Sequence, residues 1–253
     1  MTKKELCWNI TSKCNQNCIY CFREQNATDC SAAESMGILQ YLISRGIKEL
    51  TWSGGEPLLY QGLDILLQTS YEHKIINKLN TNGALLTPER LQKIAEYIDM
   101  FTLSLDTVDS TINAKLGRGA THQEQVLAVV KHIKDCYPNK KVTINVVINK
   151  FNLNSIPELV TRLNELPIDG VRLFQVSPIR GRAIDTFSNT AVTTEQFEQA
   201  KTYFQQHLKH ANLTFRNKSS LESKYLVITP NGNLCYNSNG KDILIKQLRG
   251  KNR

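Results

Sequence analysis

The chain has 253 residues, 41% of them hydrophobic, which suits one large globular domain with its own core. No apolar run approaches the ~20 residues of a membrane-spanning helix, and the start of the chain is too polar for a targeting signal. The formal net charge of +8 suits an anionic partner without distinguishing nucleic acid, lipid and phosphorylated small molecules. The seven cysteines are odd in number and favour thiols over disulfides, so we expect a cytoplasmic protein.

The hydrophobic pattern predicts strands and helices in alternation over residues 1–192. Strands are predicted at 5–10, 49–52, 75–79, 99–105, 142–148 and 171–176. Helices between them begin at clear start signals, such as the capping box of Ser31 and Glu34 and the Thr87-Pro88 pair. This order predicts an α/β fold, a partial (βα)6 barrel in which helices surround a parallel sheet.

The pattern changes after Thr193. A helix is predicted at 194–210, followed by short strands at 213–215, 225–228 and 233–236 around a Pro230-Asn231-Gly232 turn. We interpret residues 193–253 as a C-terminal helix and β-hairpin extension packed on the barrel, and not as a further βα unit.

Polar motifs directly follow several predicted strands. Gly54-Gly55-Glu56-Pro57 follows the second strand, Asn80 and Asn82 follow the third, and Ser104 ends the fourth. The carboxyl ends of parallel strands meet at one mouth of a βα barrel, which is where the active sites of such barrels lie. We therefore expect these side chains to face one site, although an Asn-Gly pair alone is a common turn.

The most specific motif is the loop after the first strand, where Cys14, Cys18 and Cys21 have the spacing C-x3-C-x2-C. Three thiolates this close in sequence can converge on one metal centre. A cubane iron–sulfur cluster normally takes four cysteines, so three would leave one iron open to a non-protein ligand. Zinc and incidental thiols are the alternatives, but the next cysteine, Cys30, lies nine residues on and has no histidine nearby.

This loop, with Tyr20 inside the motif and Phe22 after it, resembles the signature of the radical S-adenosylmethionine (SAM) enzymes. The resemblance implies that the three cysteines hold a [4Fe–4S] cluster. It implies that SAM chelates the open iron and that Tyr20 lies against the adenine. It also implies a one-electron reductant, such as a flavodoxin or ferredoxin, and a 5′-deoxyadenosyl radical as the reactive species.

The strand-end motifs resemble the SAM-contacting motifs of the same family. The Gly54-Gly55-Glu56-Pro57 turn matches the GGEP motif that binds the SAM amino group, and Arg118 could form a forked contact with the SAM carboxylate. A lone arginine in a loop is more often solvated. The residues that the resemblance assigns to cofactor binding are Tyr20, Phe22, Gly54, Gly55, Glu56, Asn80, Asn82, Ser104, Arg118 and Val147.

The second half of the chain resembles viperin and its prokaryotic relatives. The resemblance rests on Leu116-Gly117-Arg118-Gly119, residues 144–152, Phe174-Gln175 and residues 224–228. It implies that the enzyme dehydrates a nucleoside triphosphate (CTP, UTP or GTP) to its 3′-deoxy-3′,4′-didehydro form, as part of antiviral defence. Mg²⁺ could bind together with this nucleotide. Tyr225 would be the catalytic residue that returns a hydrogen atom to the substrate. The implied substrate-binding residues are Asn145, Arg172, Arg180 and Lys224.

Departures from the viperin pattern keep other interpretations open. This chain has Thr143 where viperin has a lysine, although Arg180 and Arg182 could supply that charge. Viperin's amphipathic N-terminal helix has no counterpart here, so we expect no membrane association. Each implied role also has a structural alternative, since Asn145 could satisfy backbone groups, Arg172 could pair with an acid and Tyr225 could fill a pocket.

Two functional alternatives remain beside nucleotide dehydration. A radical SAM enzyme could act on a peptide or another metabolite. A non-catalytic cluster protein that binds nucleic acid would explain the positive charge but not the SAM-contacting motifs, which disfavours it. The GTP-cyclising enzyme of molybdenum-cofactor synthesis shares some motifs, but it carries a second cysteine cluster near its C-terminus, where this chain has only Cys235.

Overall fold

The computed structural model describes residues 5–25, 27–217, 226–238 and 241–250. Its strands are β1 Glu5–Thr11, β2 Glu49–Gly54, β3 Ile76–Thr81, β4 Met100–Ser104, β5 Lys141–Ile148, β6 Gly170–Gln175, β7 Asn212–Arg216, β8 Leu226–Ile228, β9 Asn233–Ser238 and β10 Lys241–Gln247. Its α-helices are α1 Ala32–Ser44, α2 Leu63–Glu72, α3 Pro88–Ile94, α4 Ser110–Leu116, α5 His122–Cys136, α6 Ile156–Leu163, α7 Arg182–Asp185, α8 Phe187–Thr190 and α9 Thr194–His207.

All ten strands belong to one sheet, in the order β10-β9-β8-β1-β2-β3-β4-β5-β6-β7. Strands β1 to β6 lie side by side in chain order, and each neighbouring pair among them is parallel. At least one helix connects each strand of this series to the next. The predicted α/β fold with a parallel (βα)6 barrel core is therefore confirmed. Within the described ranges, no helix is long and apolar enough to cross a membrane.

The C-terminal part differs from the prediction in one respect. Strand β7 pairs in parallel with β6, from Gly170 opposite Asn212 to Phe174 opposite Arg216. Helix α9 and β7 therefore form a seventh βα unit, and the expectation that no further βα unit follows Thr193 was wrong. The strand has only five residues, none of them buried, so it gives a weak hydrophobic signal.

The predicted hairpin itself is present as β8 and β9, which are antiparallel, and β8 pairs in parallel with β1. A further antiparallel strand that was not predicted, β10, follows it. The same sheet continues on both sides of residue 192, so the proposed division of the chain at that point remains a prediction.

Side chains alternate along the parallel strands and separate an apolar outer face from a polar lumen. In β1, Leu6, Trp8 and Ile10 are at most 3% exposed, and Trp8 stacks on Trp52 of β2 with ring centroids 5.4 Å apart. The positions between them face the lumen, where Asn9 of β1 is in register with Ser53 of β2. The corresponding lumen positions of the next strands are Lys78, Asn80, Thr102, Ser104, Asn145, Arg172 and Phe174. A typical complete βα barrel fills its centre with branched apolar side chains, whereas this one encloses a polar cavity.

Candidate active site

The loop that carries the three cysteines, residues 14–21, is held by backbone contacts from two other loops. After α4, the carbonyls of Gly117 and Leu116 accept from the amides of Asn17 (3.0 Å) and Ile19 (3.1 Å). After β6, the amide of Ala183 donates to the carbonyl of Cys21 at 3.2 Å. The cysteine loop has no regular secondary structure, so these contacts satisfy backbone groups that would otherwise lose hydrogen bonds on burial.

Two glycines let neighbouring loops approach the cysteine loop closely. A Cβ atom on Gly55 would lie 2.1 Å from the carbonyl oxygen of Lys13, and one on Gly117 would lie 2.3 Å from that of Asn17. Gly117 also has a left-handed backbone with φ of 80°, which disfavours any other residue. Gly55 is therefore needed for close packing against Lys13, directly before the cysteine loop, in addition to any contact with a ligand.

Cys14, Cys18 and Cys21 line one cavity of about 220 Å³ at the carboxyl ends of the strands, called the upper cavity below. Burial raises the pKa of each of these thiols, and a bound cation would act in the opposite direction. The described residues contain no three Cys, His, Asp or Glu side chains grouped around a single ion. In a cubane each thiolate binds a different iron, and these three thiols line the same cavity, which suits a cluster.

The zinc alternative lacks a fourth thiol in this cavity. Cys30 is buried and is not among the residues lining the upper cavity. Its sulfur lies instead next to Gly232 in the turn between β8 and β9, where a Cβ atom on that glycine would be 3.1 Å away. Because a structural zinc site takes four protein ligands, the donor set of the upper cavity fits a cluster with one open iron better.

Glu56 lies behind the wall of the upper cavity and is fully buried. Its carboxylate accepts from the Thr81 hydroxyl at 2.7 Å and from the backbone amides of Asn82 and Leu58 at 2.9 and 3.2 Å. Burial raises the pKa of Glu56, although these hydrogen bonds act against the shift. Glu56 thus connects the loop after β2 to the end of β3. Glu56 is not among the residues that line the upper cavity, so its contact with the SAM ammonium stays a prediction.

Arg118 belongs to a buried network that sequence analysis missed. Its Nε donates to Asp106 Oδ2 at 2.6 Å and to the Tyr20 hydroxyl at 2.9 Å, and that hydroxyl also donates to Asp106. The Arg118 side chain is 6% exposed and that of Asp106 is fully buried. Burial alone would lower the pKa of Arg118, but Asp106 raises it well above its ordinary value. The guanidinium is therefore charged at the cavity wall. Asp106 follows β4 in Ser104-Leu105-Asp106, and that strand-end position was the signal that could have found it.

The remaining predicted cofactor residues also meet in the upper cavity. Asn82 donates to the Asn15 side chain at 2.8 Å, and the Val147 amide donates to Asp106 Oδ1 at 2.6 Å. The side-chain oxygen of Asn145 is buried and accepts no hydrogen bond from the described residues. The predicted residues that line this cavity are Cys14, Cys18, Tyr20, Cys21, Phe22, Gly54, Gly55, Asn80, Asn82, Ser104, Arg118, Asn145 and Val147.

A second cavity of about 330 Å³, the lower cavity, continues along the lumen. Phe22, Asn80 and Phe174 line both cavities, so the two adjoin. Its charged lining residues are Glu5, Arg23, Glu49, Lys78, Arg172, Arg180 and Arg216. Arg180 donates to Asp242 of β10 at 2.7 Å, while Arg172 on β6 is in register with Asn145 on β5.

Three predicted substrate residues therefore share the lumen, and two further residues cannot be placed. Asn145, Arg172 and Arg180 lie along the two cavities. Lys224 and Tyr225 lie outside the described residues, so their assignments remain predictions. Phe174 of β6, which lines both cavities, was quoted as part of a motif but not assigned to the site.

Comparison with known proteins agrees with this geometry. The model of the radical SAM superfamily matches residues 8–163, which covers the cysteine loop and the ends of β2 to β5 that line the upper cavity. The chain belongs to the radical SAM superfamily. The resemblance identified from the cysteine loop is thus confirmed, and membership of this superfamily implies a [4Fe–4S] cluster and SAM as cofactors.

Relatives of this radical SAM protein differ in what they act on. An S-adenosylmethionine-dependent nucleotide dehydratase of Flammeovirga pacifica is 24% identical over 92% of this chain and 82% of its own length. A probable GTP 3′,8-cyclase of Methanopyrus kandleri is 29% identical over 68% of this chain and 55% of its own. The crystal structure of Streptococcus suis SuiB bound to its precursor peptide SuiA superposes with a TM-score of 0.72 at 22% identity, over 91% of this chain and 58% of SuiB.

Proposed function

We propose that this radical SAM enzyme dehydrates a nucleoside triphosphate to its 3′-deoxy-3′,4′-didehydro form. The observation that carries the proposal is the connection of two cavities, one with three thiols and one along a polar lumen that contains several cations. The similarity to nucleotide dehydratases over nine-tenths of the chain supports the same substrate class.

The upper cavity would hold the cofactors. Cys14, Cys18 and Cys21 would ligate the cluster, which together with SAM supplies a 5′-deoxyadenosyl radical when both are bound. Arg118 would pair with the SAM carboxylate, because Asp106 and Tyr20 hold its Nε and leave its Nη2 without an acceptor among the described residues.

The lower cavity would hold the nucleotide. Arg172 on β6 and Arg216 at the end of β7 both line it, and together they place two cations on one side of the lumen. Several phosphate charges need several cations in a partly enclosed site, and guanidinium groups bind phosphate through two hydrogen bonds at once. Mg²⁺ bound to the phosphates would be part of this substrate, and a flavodoxin or ferredoxin would supply the electron.

Asn145 would position the ribose between the two cavities. Its buried side-chain oxygen accepts no hydrogen bond from the described residues, and it lies in register with Arg172. A buried acceptor without a donor costs about 1–3 kcal/mol, so a ribose hydroxyl that donates to it would recover that cost. Phe174, which lines both cavities, would help to exclude water from the same point.

An anaerobic assay of reconstituted protein with SAM, dithionite and each nucleoside triphosphate in turn tests the proposal. One nucleotide should increase the formation of 5′-deoxyadenosine and yield a product lighter by one water. If no nucleoside triphosphate increases 5′-deoxyadenosine formation, the nucleotide assignment is wrong, although the superfamily assignment stands.

The role of Tyr225 has a distinct signature in the same assay. Tyr225→Phe removes only the hydroxyl, so SAM should still be cleaved when the nucleotide is added while the dehydrated product falls sharply. Tyr71→Phe, on a partly exposed position of α2, is the matched control and should leave both measurements unchanged. A parallel loss of SAM cleavage and product in Tyr225→Phe would contradict the hydrogen-donor role.

A further inference from the structure

Gln16 lies within the cysteine loop, and both polar atoms of its side-chain amide have hydrogen-bond partners. Its Nε2 lies 3.1 Å from His122 Nδ1, and its Oε1 lies 3.2 Å from Arg118 Nη1. The same Oε1 lies 3.8 Å from the sulfur of Cys18. Gln16 thus connects the start of α5, the buried guanidinium and a cysteine of the loop.

His122 determines which end of the Gln16 amide is the nitrogen and which is the oxygen. Its Nε2 is 2.8 Å from the carbonyl oxygen of Ser104, which can only accept, so Nε2 carries the ring hydrogen. A neutral ring then has an acceptor at Nδ1, which must face the amide nitrogen of Gln16. The ring is 1% exposed. Burial, and to a smaller extent the nearby Arg118 charge, lowers the pKa of His122 to about 4, so the ring is neutral at neutral pH.

The amide oxygen of Gln16 therefore points at Arg118, and this contact sets the plane of the guanidinium. Asp106 and Tyr20 form hydrogen bonds only with its Nε, and its Cζ lies 5.7 Å from the centroid of the Tyr20 ring, so none of these contacts gives Nη1 an acceptor. The Gln16 oxygen supplies that acceptor, and because the guanidinium is planar, contacts at both Nε and Nη1 fix the direction of Nη2. Of the described residues, none accepts from Nη2, the nitrogen that remains for a ligand in the upper cavity.

We propose that Gln16 is a positioning residue for the carboxylate of SAM, and that His122 orients it. The inference rests on the proposed role of Arg118 in binding SAM and adds the two residues that aim its guanidinium. Gln16 and His122 touch neither the reacting atoms nor the substrate in this proposal. They act through Arg118, so their loss should weaken SAM binding without removing the cluster.

Two pairs of variants test this proposal by SAM affinity and spectroscopy. Gln16→Met keeps the length of the side chain and removes both polar atoms, and Gln125→Met on the exposed face of α5 is its matched control. His122→Asn keeps an acceptor near the Nδ1 position, whereas His122→Gln keeps a donor near the Nε2 position. Reconstituted protein is measured for iron and sulfide, for SAM affinity by equilibrium dialysis, and for the SAM-induced change in the electron paramagnetic resonance of the reduced cluster.

Gln16→Met and His122→Gln should retain iron and sulfide, bind SAM about tenfold more weakly and show a smaller SAM-induced spectral change. His122→Asn and Gln125→Met should resemble the wild type. SAM affinity and spectrum unchanged in Gln16→Met would overturn the inference. If that variant assembles no cluster, equal SAM affinities of the two His122 variants would overturn it instead. Failure of the wild type to bind SAM would refute the proposed function as well, so the two failures are distinguishable.

Discussion

The two sides of the active site are built differently. On the side formed by β1 to β4 and their loops, buried charges are tied to protein partners, Arg118 to Asp106 and Glu56 to Thr81. On the side formed by β5, β6 and the loop after β6, Asn145 Oδ1 and Arg180 Nε are buried without a hydrogen bond from the described residues. The charged groups of the first side are thus oriented by protein partners, with Arg118 Nη2 left toward the upper cavity, and the second side has buried polar atoms that a ligand could satisfy.

Under the proposed function, this difference would separate the part of the site that binds the cofactors from the part that selects a substrate. A preorganised site holds its ligand in one orientation because its donors and acceptors are already locked by packing and hydrogen bonds. The first side has this character, and the residues on it match the superfamily motifs. The second side contains the residues that the viperin resemblance links to the nucleotide, so variants of the two sides should fail in different ways.

The largest effect is expected for the cluster ligands on the first side. Cys18→Ala should abolish cluster assembly and SAM cleavage, because two thiolates cannot replace the three that line the upper cavity. Cys136→Ala, at an exposed position of α5, is the control and should retain both. Iron and sulfide analysis with a SAM cleavage assay measures the outcome. Full cluster content in Cys18→Ala would contradict the assignment.

The next effect concerns the buried ion pair on the first side. Asp106→Asn leaves the Arg118 guanidinium buried without its counter-charge, which should lower the free energy of unfolding by about 3–5 kcal/mol. Asp64→Asn removes the partner of Arg90 at a more exposed site and should cost at most about 1 kcal/mol. Denaturant titration of both variants gives the comparison. Equal losses would mean that the Asp106 pair is no more important than a surface pair.

A pH effect follows from His122 beside that pair. The unfolded chain takes up a proton near pH 6.5, while burial and Arg118 hold the folded pKa at about 4. The unfolded state therefore binds more protons between these values, so the free energy of unfolding should fall by about 3 kcal/mol as the pH falls from 6.5 to 4. Denaturant titrations across this range measure it, and His122→Asn should lose this component. A wild-type profile in His122→Asn would exclude His122 as its source.

The smallest effect is expected on the second side. Arg172→Ala should leave cluster content and SAM affinity unchanged and raise the apparent Michaelis constant for the nucleotide more than tenfold, since a charge-assisted contact contributes about 1.5–3 kcal/mol. Arg162→Ala, an exposed arginine on α6, is the control. Nucleotide-dependent formation of 5′-deoxyadenosine gives the constant. A change in SAM affinity instead would place Arg172 on the cofactor side.

Sequence patterns predicted the part of the molecule that local spacing determines. The C-x3-C-x2-C spacing and the polar residues at strand ends predicted the cavity that Cys14, Asn82 and Ser104 share. The pairing of Gln16 with His122 joins residues 106 positions apart, and no periodicity or spacing indicates such a contact. Strands β7 and β10 were misassigned or missed because much of their surface is exposed, which weakens the hydrophobic alternation.

The alternation of polar and apolar side chains along the strands has a consequence for how this enzyme can change. Leu50 and Trp52 are fully buried in the outer packing, while Thr51 between them lines the lower cavity. Exchanging an inward threonine for a larger or smaller residue alters the shape of the chamber and leaves the outer packing intact. A library restricted to Thr51 and Thr102, which line the lower cavity and not the upper one, could therefore search for new substrates while the scaffold and the cofactor cavity are inherited unchanged.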